Sequence, residues 1–233
     1  MAIQKTVYDI LIITAIVAFL IIYISHKIDR TDPLSKPSCF ITLVISLVET
    51  VTNMVTSSMG KKKALLLTPY ILVLWLYIFI SNISGLFGID SPTANFSVTI
   101  LLSFLTWLLI QIVIFKYNGV KAYFASFLDP LPVMLPMNII GKFSTMFSMA
   151  LRLFGNITCG SLVMQLVYYG TQNLSNGIAK IFGLNSVFNF VAPFIAPILH
   201  LYFDLFAGFI QTLVFVMLTI VLIGNEIPDI EKK

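Results

Sequence analysis

Charged residues are scarce in this chain. Asp, Glu, Lys and Arg make up 10% of its 233 residues, whereas hydrophobic residues make up 58%. A soluble domain carries about 25% charged residues, so this composition excludes an ordinary water-soluble fold. Several apolar runs reach the roughly 20 residues that a membrane-spanning helix needs. Because the alternating segments of a membrane β-barrel are missing, the sequence predicts an all-α polytopic membrane protein.

Cysteine and the common motifs of enzyme sites are also scarce. The two cysteines, Cys39 and Cys159, both fall in apolar segments, which argues against a disulfide framework. The sequence has no phosphate-binding glycine loop, no paired metal-ligand motif and no nucleophile elbow, so neither a cofactor nor a metal site is predicted. The net charge of +4 comes from basic residues in short loops. That placement controls membrane topology, and no nucleic-acid partner is predicted.

The apolar segments predict a single membrane domain, 1–233, with about five embedded helices and one amphipathic interfacial helix. The predicted spans are residues 7–25, 65–87 and 96–115, followed by two long segments at 135–169 and 188–223. Residues 39–58 carry Glu49 and Asn53 among apolar residues, which favours a helix at the interface or against a partner. Each long segment would measure about 50 Å as one helix, against a hydrocarbon layer about 30 Å thick. Each must therefore break or tilt strongly, and the polar stretch 170–185 is predicted to connect them as a hairpin.

The placement of basic residues predicts how these segments are oriented. The loop after the first span contains Lys27, Arg30 and Lys36, whereas the loop at Asp90 carries no positive residue. Basic loops face the cytoplasm. The Asp90 loop and the connection at 170–185 are therefore predicted to face the outside.

Arg152 is the most informative residue of the chain. It is one of two arginines, and it is the only formally charged residue between Phe143 and Ala179. An arginine in hydrocarbon costs about 2.5–3.5 kcal/mol on insertion scales, so it requires a partner or a water-filled cavity. At helical periodicity, one face of this segment carries Thr145, Ser148, Arg152, Asn156 and Cys159. Without the arginine, such a stripe would be interpreted as a polar seam between helices.

A second polar stripe lies in the last long segment. Asp204 is the only formally charged residue there, and it shares a helix face with His200, Gly208 and Gln211. An apolar site favours the neutral form of a carboxyl group, and an adjacent cation reverses this preference. Asp204 is therefore either the ion-pair partner of Arg152 or a proton-exchanging group near an aqueous path. His200 either lines the same path or is a hydrogen-bonded core residue.

Four stretches carry a resemblance to a known family. The stretch Ala150-Leu151-Arg152-Leu153-Phe154-Gly155-Asn156 resembles the signature helix of subunit a of the F-type ATP synthase, the stator subunit of its membrane motor. Three shorter stretches are similar to other motifs of this family. They are Asn82-Ile83-Ser84-Gly85-Leu86, Ser91-Pro92-Thr93-Ala94-Asn95 and Pro136-Met137-Asn138-Ile139-Ile140. Gln211 lies where the family carries a glutamine, and the resemblance extends over about residues 60–225.

The resemblance implies a rotary motor that translocates H+ or Na+. Subunit a is not catalytic by itself; it packs against a rotating ring of c subunits, each with an ionisable carboxylate, and contacts the peripheral-stalk b subunits. Two offset aqueous half-channels meet the ring. The arginine corresponding to Arg152 separates them and attracts each arriving ring carboxylate. The last two long helices of the family lie strongly tilted, which would resolve the length problem of the two long segments.

The resemblance also implies roles for individual residues. Asn156 and Gln211 would accompany Arg152, and Asp204, where family members carry His or Glu, would handle protons in one half-channel. The predicted ion path comprises Ser148, Asn156, Ser161, His200, Asp204 and Gln211. Two positions depart from the family pattern: Ser161 falls where some bacterial relatives have Glu, and Lys142 falls where relatives commonly carry an acidic residue.

Two alternatives remain open from the residues alone. One is a secondary ion transporter or channel that is gated by an intramembrane pair of Arg152 and Asp204. The other is a membrane scaffold that buries the same pair and would tolerate apolar residues in place of both. The compact, lysine-flanked form favours a bacterial plasma membrane over the inner membrane of an organelle. The coupling ion stays open because ion selectivity resides largely in the ring, on another chain.

Overall fold

The computed structural model describes residues 2–30, 38–128, 132–181 and 189–227, which are helical apart from short turns. The α-helices are α1 Ala2–Asp29, α2 Cys39–Met59, α3 Lys61–Ile83, α4 Phe96–Leu128, α5 Leu135–Ile181, α6 Ala192–His200 and α7 Gly208–Asn225. A π-helical segment, Leu201–Ala207, joins α6 to α7. Helices satisfy backbone hydrogen bonds within one segment, as hydrocarbon demands. The predicted all-α polytopic fold is confirmed.

Six helical stretches of the described chain are long and apolar enough to cross a membrane. They are Val7–Ile28, Cys39–Met59, Leu65–Phe87, Phe96–Tyr117, Leu135–Lys180 and Ala192–Asn225. The second of these, α2, was predicted to lie at the interface or against a partner. It packs on α3 and α7, and Val51, Val55 and Met59 in its C-terminal half are buried. The apolar face of α2 therefore packs against other helices of the same chain.

Helices α3 and α7 run antiparallel at the centre of the fold. Asn82 at the end of α3 contacts Gly208 at the start of α7, and Ser58, just before α3, contacts Gly224 near the end of α7. The fully buried apolar side chains between these contacts include Ile71, Ile78, Phe215, Ile220 and Ile223. Because lipid tails are as apolar as these side chains, close packing rather than transfer from water holds the helices together. This pair forms the frame against which α5 lies.

Two glycines with a left-handed backbone reverse or bend the chain. Gly60, with φ of 81°, separates α2 from α3, and Gly119, with φ of 76°, interrupts α4. The ring centroids of Phe115 and Tyr123 are 4.5 Å apart across the second bend, although eight residues of straight helix would separate them by about 12 Å. The predicted span 96–115 is therefore followed by a helical segment that folds back to Leu128 rather than by a loop.

Helix α5 is longer than predicted. It begins at Leu135, as the prediction of 135–169 has it, but it continues without a break to Ile181. The predicted hairpin connection, 170–185, is therefore helical in its first part. The remainder of that connection, 182–185, lies outside the described residues.

A side chain beyond the helix explains why α5 continues through this polar stretch. Asn189 Nδ2 donates a hydrogen bond to Thr171 Oγ1 at 2.9 Å, and Ser175 Oγ donates to Asn189 Oδ1 at 3.0 Å. Asn189 Oδ1 also accepts from the backbone N–H of Ala192 at the start of α6, at 3.0 Å. These bonds satisfy the buried hydroxyls of α5, so the weak helix formers around them do not end the helix. They also close the α5–α6 hairpin.

The second long segment is one continuous helical path. The predicted segment, 188–223, begins outside the described residues, and α6 starts at Ala192 with Pro193 in its first turn. Proline is tolerated there because its missing N–H would lack a helical partner anyway. Pro197 lies inside α6 and does not end it. The departure from regular α-helix lies further on, in the π segment. Such π turns are rare in proteins, and those that occur are often found at functional sites.

Candidate functional site

Arg152 lies on a face of α5 that the described chain leaves uncovered. The side chains of Arg152, Ser148 and Cys159 are exposed. The other side of the helix is packed: Met149 and Leu153 are buried in a cluster with side chains of α3 and α7. These three residues of the predicted polar stripe therefore point away from the body of the chain, whereas its other members, Thr145 and Asn156, are half-buried.

Arg152 forms no hydrogen bond or ion pair with any described residue. Asp204, the acidic partner considered from the sequence, is bonded to His200 instead, with 2.7 Å between Nδ1 and Oδ2. An arginine stays charged at every relevant pH, and a charge at membrane depth needs compensation. Within the described part of the chain, no side chain compensates the charge of Arg152, and its exposed position leaves it accessible to water or to another chain.

The turn of α5 that follows Arg152 crosses the π segment. Asn156 Nδ2 donates a hydrogen bond to the backbone carbonyl of Ala207 at 3.4 Å. One turn later, a Cβ added at Gly160 would lie 3.6 Å from the Cβ of Phe203, so the missing side chain permits a close approach. Asn156, predicted from the stripe as a companion of Arg152, thus joins the arginine helix to the segment that carries Asp204.

Asp204 lies in the middle of the π segment. Its carboxylate accepts a hydrogen bond from His200, and its side chain retains 23% of its exposure. A Cβ at Gly85, in the turn after α3, would be 3.8 Å from the carboxyl carbon of Asp204. Glycine at this position therefore keeps the space beside the carboxylate free of another side chain.

A buried polar network fixes the helices on either side of Asp204. Asn82 Nδ2 donates to the carbonyl of Gly208 at 3.1 Å and to Thr212 Oγ1 at 3.3 Å, and Asn82 Oδ1 accepts from Thr93 Oγ1 at 2.9 Å. The Thr93 hydroxyl also lies 2.7 Å from that of Ser91. Two of the stretches that carry the family resemblance therefore meet at the start of α7. They hold α7 against α3 and position Asp204 one helical turn away.

The remaining predicted residues are separated from this cluster or only partly joined to it. Gln211 is buried, and its Nε2 has no hydrogen-bond partner among the described residues. Such an amide usually bonds to water or to a neighbouring molecule. Ser161 Oγ donates to the carbonyl of Thr158 on its own helix at 2.9 Å. In the described part of the chain, no hydrogen bond joins Ser161 to Asp204 or Arg152, whereas His200 and Asp204 are bonded to each other.

Lys142 lies between two aromatic rings. Its Nζ is 4.1 Å from the ring centroid of Tyr123 and 4.0 Å from that of Phe127, in the folded-back part of α4. Burial raises the pKa of Tyr123, so this ring faces the lysine as a neutral phenol. Ammonium groups over aromatic faces gain about 0.5–2 kcal/mol. The charge of Lys142, unlike that of Arg152, is thus stabilised inside the chain.

Tyr168 belongs to the site although sequence reasoning missed it. Its hydroxyl lies 3.0 Å from Nε2 of His200, on the side of the ring opposite Asp204. A groove of 810 Å³ opens beside this pair, between the last part of α5 and α6. Its lining comprises Tyr168, Tyr169, Gln172, Asn189, Ala192, Pro193, Ala196, Pro197 and His200. In the sequence, Tyr168 is only a tyrosine within an apolar run, and its contact with His200 becomes visible only when the two helices are aligned.

Comparison with known proteins agrees with the resemblance. Residues 8–224 match the family model described as ATP synthase A chain. ATP synthase subunit a of Mycoplasma pneumoniae is 33% identical over 224 residues, which cover 90% of this chain and 74% of the relative. The Bacillus subtilis subunit a is 34% identical over 191 residues, or 78% and 76% of the two chains.

A third relative has a stated ion specificity. The sodium-ion-specific ATP synthase subunit a of Propionigenium modestum is 33% identical over 179 residues, which cover 70% of this chain and 55% of the relative. The family match extends over almost the whole chain and includes the arginine helix, the buried polar network and the π segment. The predicted resemblance is therefore confirmed, and the chain belongs to the ATP synthase A chain family.

Proposed function

We propose that this chain is the stator subunit a of the F0 membrane sector of a rotary ATP synthase. In this role it contacts a ring of c subunits and the peripheral-stalk b subunits, and it couples ion flow to rotation without being catalytic itself. The ion, H+ or Na+, passes through two aqueous half-channels. The bacterial relatives support a location in a bacterial plasma membrane.

The exposed and unpaired state of Arg152 is the observation that carries this proposal. A permanent positive charge on an exposed face of a membrane helix is stable when an anion docks against it. A ring carboxylate that arrives at this face supplies the anion, and the guanidinium in turn favours its ionised form. The bound proton or sodium ion is thereby released on one side of Arg152. The same charge repels cations, so it separates the two half-channels.

The polar residues of α5 and of the α6–α7 segment support a path for ions to the ring. Asp204 and His200 form the ion-handling group of one half-channel, and Asn156 and Gln211 accompany Arg152 at the crossing. Ser148 and Ser161 supply hydroxyls on the exposed parts of α5. Some bacterial relatives carry a glutamate at the position of Ser161. In this chain Asp204 provides the carboxylate instead, from the π segment on the other side of the hairpin.

The length of α5 supports a tilted helix. Its 47 residues would extend about 70 Å in a hydrocarbon layer about 30 Å thick. A helix that lies strongly tilted can present Arg152 near the middle of the membrane and follow the curved surface of a ring. One elementary charge that crosses 100 mV provides about 2.3 kcal/mol, which is the driving force for rotation.

The alternative of a channel gated by an Arg152–Asp204 pair loses its main support. The pair is absent because Asp204 bonds to His200 while Arg152 faces outward. The scaffold alternative depends on the same buried pair. Neither alternative explains why a charged side chain at membrane depth lacks an internal partner.

ATP-driven ion pumping in inverted membrane vesicles tests the proposal. We expect Arg152→Ala to abolish pumping while a c-ring still co-purifies with the complex, because the arginine acts at the rotor surface and leaves the packed side of α5 unchanged. Arg30→Ala, which removes the other arginine of the chain, is the matched control and should pump normally. Persistent pumping by an assembled Arg152→Ala complex would overturn the proposal. Assays with and without Na+ identify the coupling ion.

A further inference from the structure

We propose that Tyr168 is the outer member of a proton-exchange chain, Tyr168–His200–Asp204, and that the groove beside it is the aqueous mouth of one half-channel. The inference rests on the proposed stator function and names the residue through which protons enter it. It also assigns a purpose to a hydroxyl in α5 to which the family resemblance gave no role.

The groove provides the water. Its 810 Å³ is large compared with the roughly 30 Å³ that one water molecule occupies in the liquid. Polar side chains line it, namely Gln172 of α5, His200 of α6 and Asn189 just before α6, together with Tyr168. The groove lies at the end of the α5–α6 hairpin that the distribution of basic residues places outside the cytoplasm. It is therefore positioned to receive protons from the outer side.

The hydrogen-bond geometry connects this groove to Asp204 without a gap. Tyr168 Oη is 3.0 Å from His200 Nε2, and His200 Nδ1 is 2.7 Å from Asp204 Oδ2. An ionised carboxylate only accepts hydrogen bonds, so Nδ1 of the neutral ring carries the proton. Nε2 is then an acceptor, and the Tyr168 hydroxyl donates to it. Each member has a donor facing the next acceptor in the direction of Asp204.

One proton passes along this chain in balanced steps. Tyr168 Oη takes a proton from groove water as it gives its own proton to His200 Nε2, and His200 Nδ1 gives its proton to the Asp204 carboxylate. One proton enters and one carboxylate becomes a neutral carboxyl group, so the charge balances. A turn of the His200 ring then brings the protonated Nε2 towards Asp204 and the free Nδ1 towards Tyr168, so that a donor again faces Asp204 and an acceptor faces Tyr168. The side chain, 34% exposed, has room for this turn.

No other charged group among the described residues competes for this path. His200 is the only ion-pair partner of Asp204 in that part of the chain, and the Tyr168 hydroxyl of α5 lies within hydrogen-bond distance of His200. From the turn after α3, Gly85 approaches Asp204 without any side chain. A proton that enters at Tyr168 therefore ends on Asp204, one turn before the crossing with the arginine helix.

Passive ion flux through the assembled membrane sector tests the inference. Vesicles that contain the complex are stripped of the catalytic head, and a potassium diffusion potential drives proton uptake. We expect Tyr168→Phe to lower proton flux about fivefold, since it removes one hydrogen-bonding hydroxyl and keeps the ring. Tyr169→Phe is the matched control, because Tyr169 lines the same groove and has no hydrogen bond to His200. It should leave the flux unchanged.

A double variant separates proton transfer from a structural role. If Tyr168 and His200 act in series, Tyr168→Phe combined with His200→Gln lowers the flux no further than His200→Gln alone. Additive losses, or an unchanged flux in Tyr168→Phe, would overturn the inference and leave the stator function intact. Wild-type vesicles that conduct Na+ but not protons would likewise overturn the inference and leave the stator function intact. Wild-type vesicles that conduct neither ion would refute the stator function and the inference together.

Discussion

Two polar regions of this chain are built in opposite ways. At the contact of α3 with α7, Asn82, Thr93 and Thr212 are buried, and their side chains bond to one another and to the backbone. On α5, the Arg152 side chain is exposed and unpaired within the described residues. Polar groups that are satisfied inside a membrane protein specify how its helices pack. A charge that is left unsatisfied specifies a need for water or for another subunit.

Removing the amide of Asn82 should affect stability more than any other change considered for this comparison. Asn82→Ala leaves the Thr93 and Thr212 hydroxyls and the Gly208 carbonyl without the amide, and each buried group that loses its partner costs about 1–3 kcal/mol. We expect a total loss of about 2–4 kcal/mol, since the hydroxyls can turn to other acceptors. Thermal unfolding of the full chain in detergent measures it.

Two further variants turn this measurement into a test of the comparison. Asn173→Ala replaces an exposed asparagine of α5 and should be neutral or slightly stabilising, because alanine is the better helix former. Arg152→Ala should also leave the unfolding of the isolated chain almost unchanged, although we expect it to abolish pumping in the complex. If Arg152→Ala destabilised the chain as much as Asn82→Ala, the distinction between the two regions would be wrong.

Gly208 tests how closely α3 and α7 must approach. A Cβ at this position would be 3.0 Å from the Cβ of Asn82, so Gly208→Ala should push the helices apart and strain the bond from Asn82 to the Gly208 carbonyl. Overpacking of this kind costs about 1–3 kcal/mol, and the helix preference of alanine returns up to about 1 kcal/mol. A net loss of about 1 kcal/mol in the same unfolding experiment is expected.

Gly177→Ala provides the control for this substitution. Nothing lies within 4 Å of a Cβ at Gly177, so only the helix preference acts and the chain should become slightly more stable. Equal effects at Gly177 and Gly208 would show that helix propensity, rather than the contact with Asn82, determines the result.

The two regions also differ in how much of them could be predicted from the sequence. Arg152 could be singled out because an isolated charge in an apolar run is visible without tertiary information. Its outward position could not be predicted, because a polar stripe also fits a seam between helices. His200 and Asp204, four residues apart, could be assigned to one helix face by periodicity alone. Whether Asp204 pairs with Arg152 or exchanges protons could not be predicted, because the answer depends on how α5 and α6 align.

Features that depend on side chains from another element were out of reach. The extension of α5 to Ile181 depends on Asn189, which bonds to Thr171 and Ser175 from beyond the helix. The role of Tyr168 depends on its alignment with His200 across the hairpin. The π segment leaves no mark in the periodicity of the apolar residues. Local patterns therefore predicted the elements, whereas contacts between elements determined their ends and their chemistry.

Lys142 is the intermediate case between the two polar regions, and it should show the smallest effect. Like Arg152, Lys142 carries a full positive charge, but the rings of Tyr123 and Phe127 stabilise this charge within the chain. Lys142→Met keeps most of the length of the side chain and gains contacts between sulfur and the rings, so the loss is that of the ammonium group, which includes its contacts with the two rings. We expect a loss of about 0.5–1 kcal/mol in unfolding, with ion pumping retained.

Lys180→Met is the control for Lys142→Met, because Lys180 is exposed at the C-terminal end of α5. Its replacement should cost no more than a few tenths of a kcal/mol from the loss of a cation near a helix C-terminus. If Lys142→Met were as mild as Lys180→Met, the aromatic rings would not stabilise the charge. If it abolished pumping while the complex assembled, Lys142 would belong with Arg152 among the charges that act on a partner. Retained pumping with a measurable loss of stability would instead show that a membrane charge with internal partners contributes to folding alone.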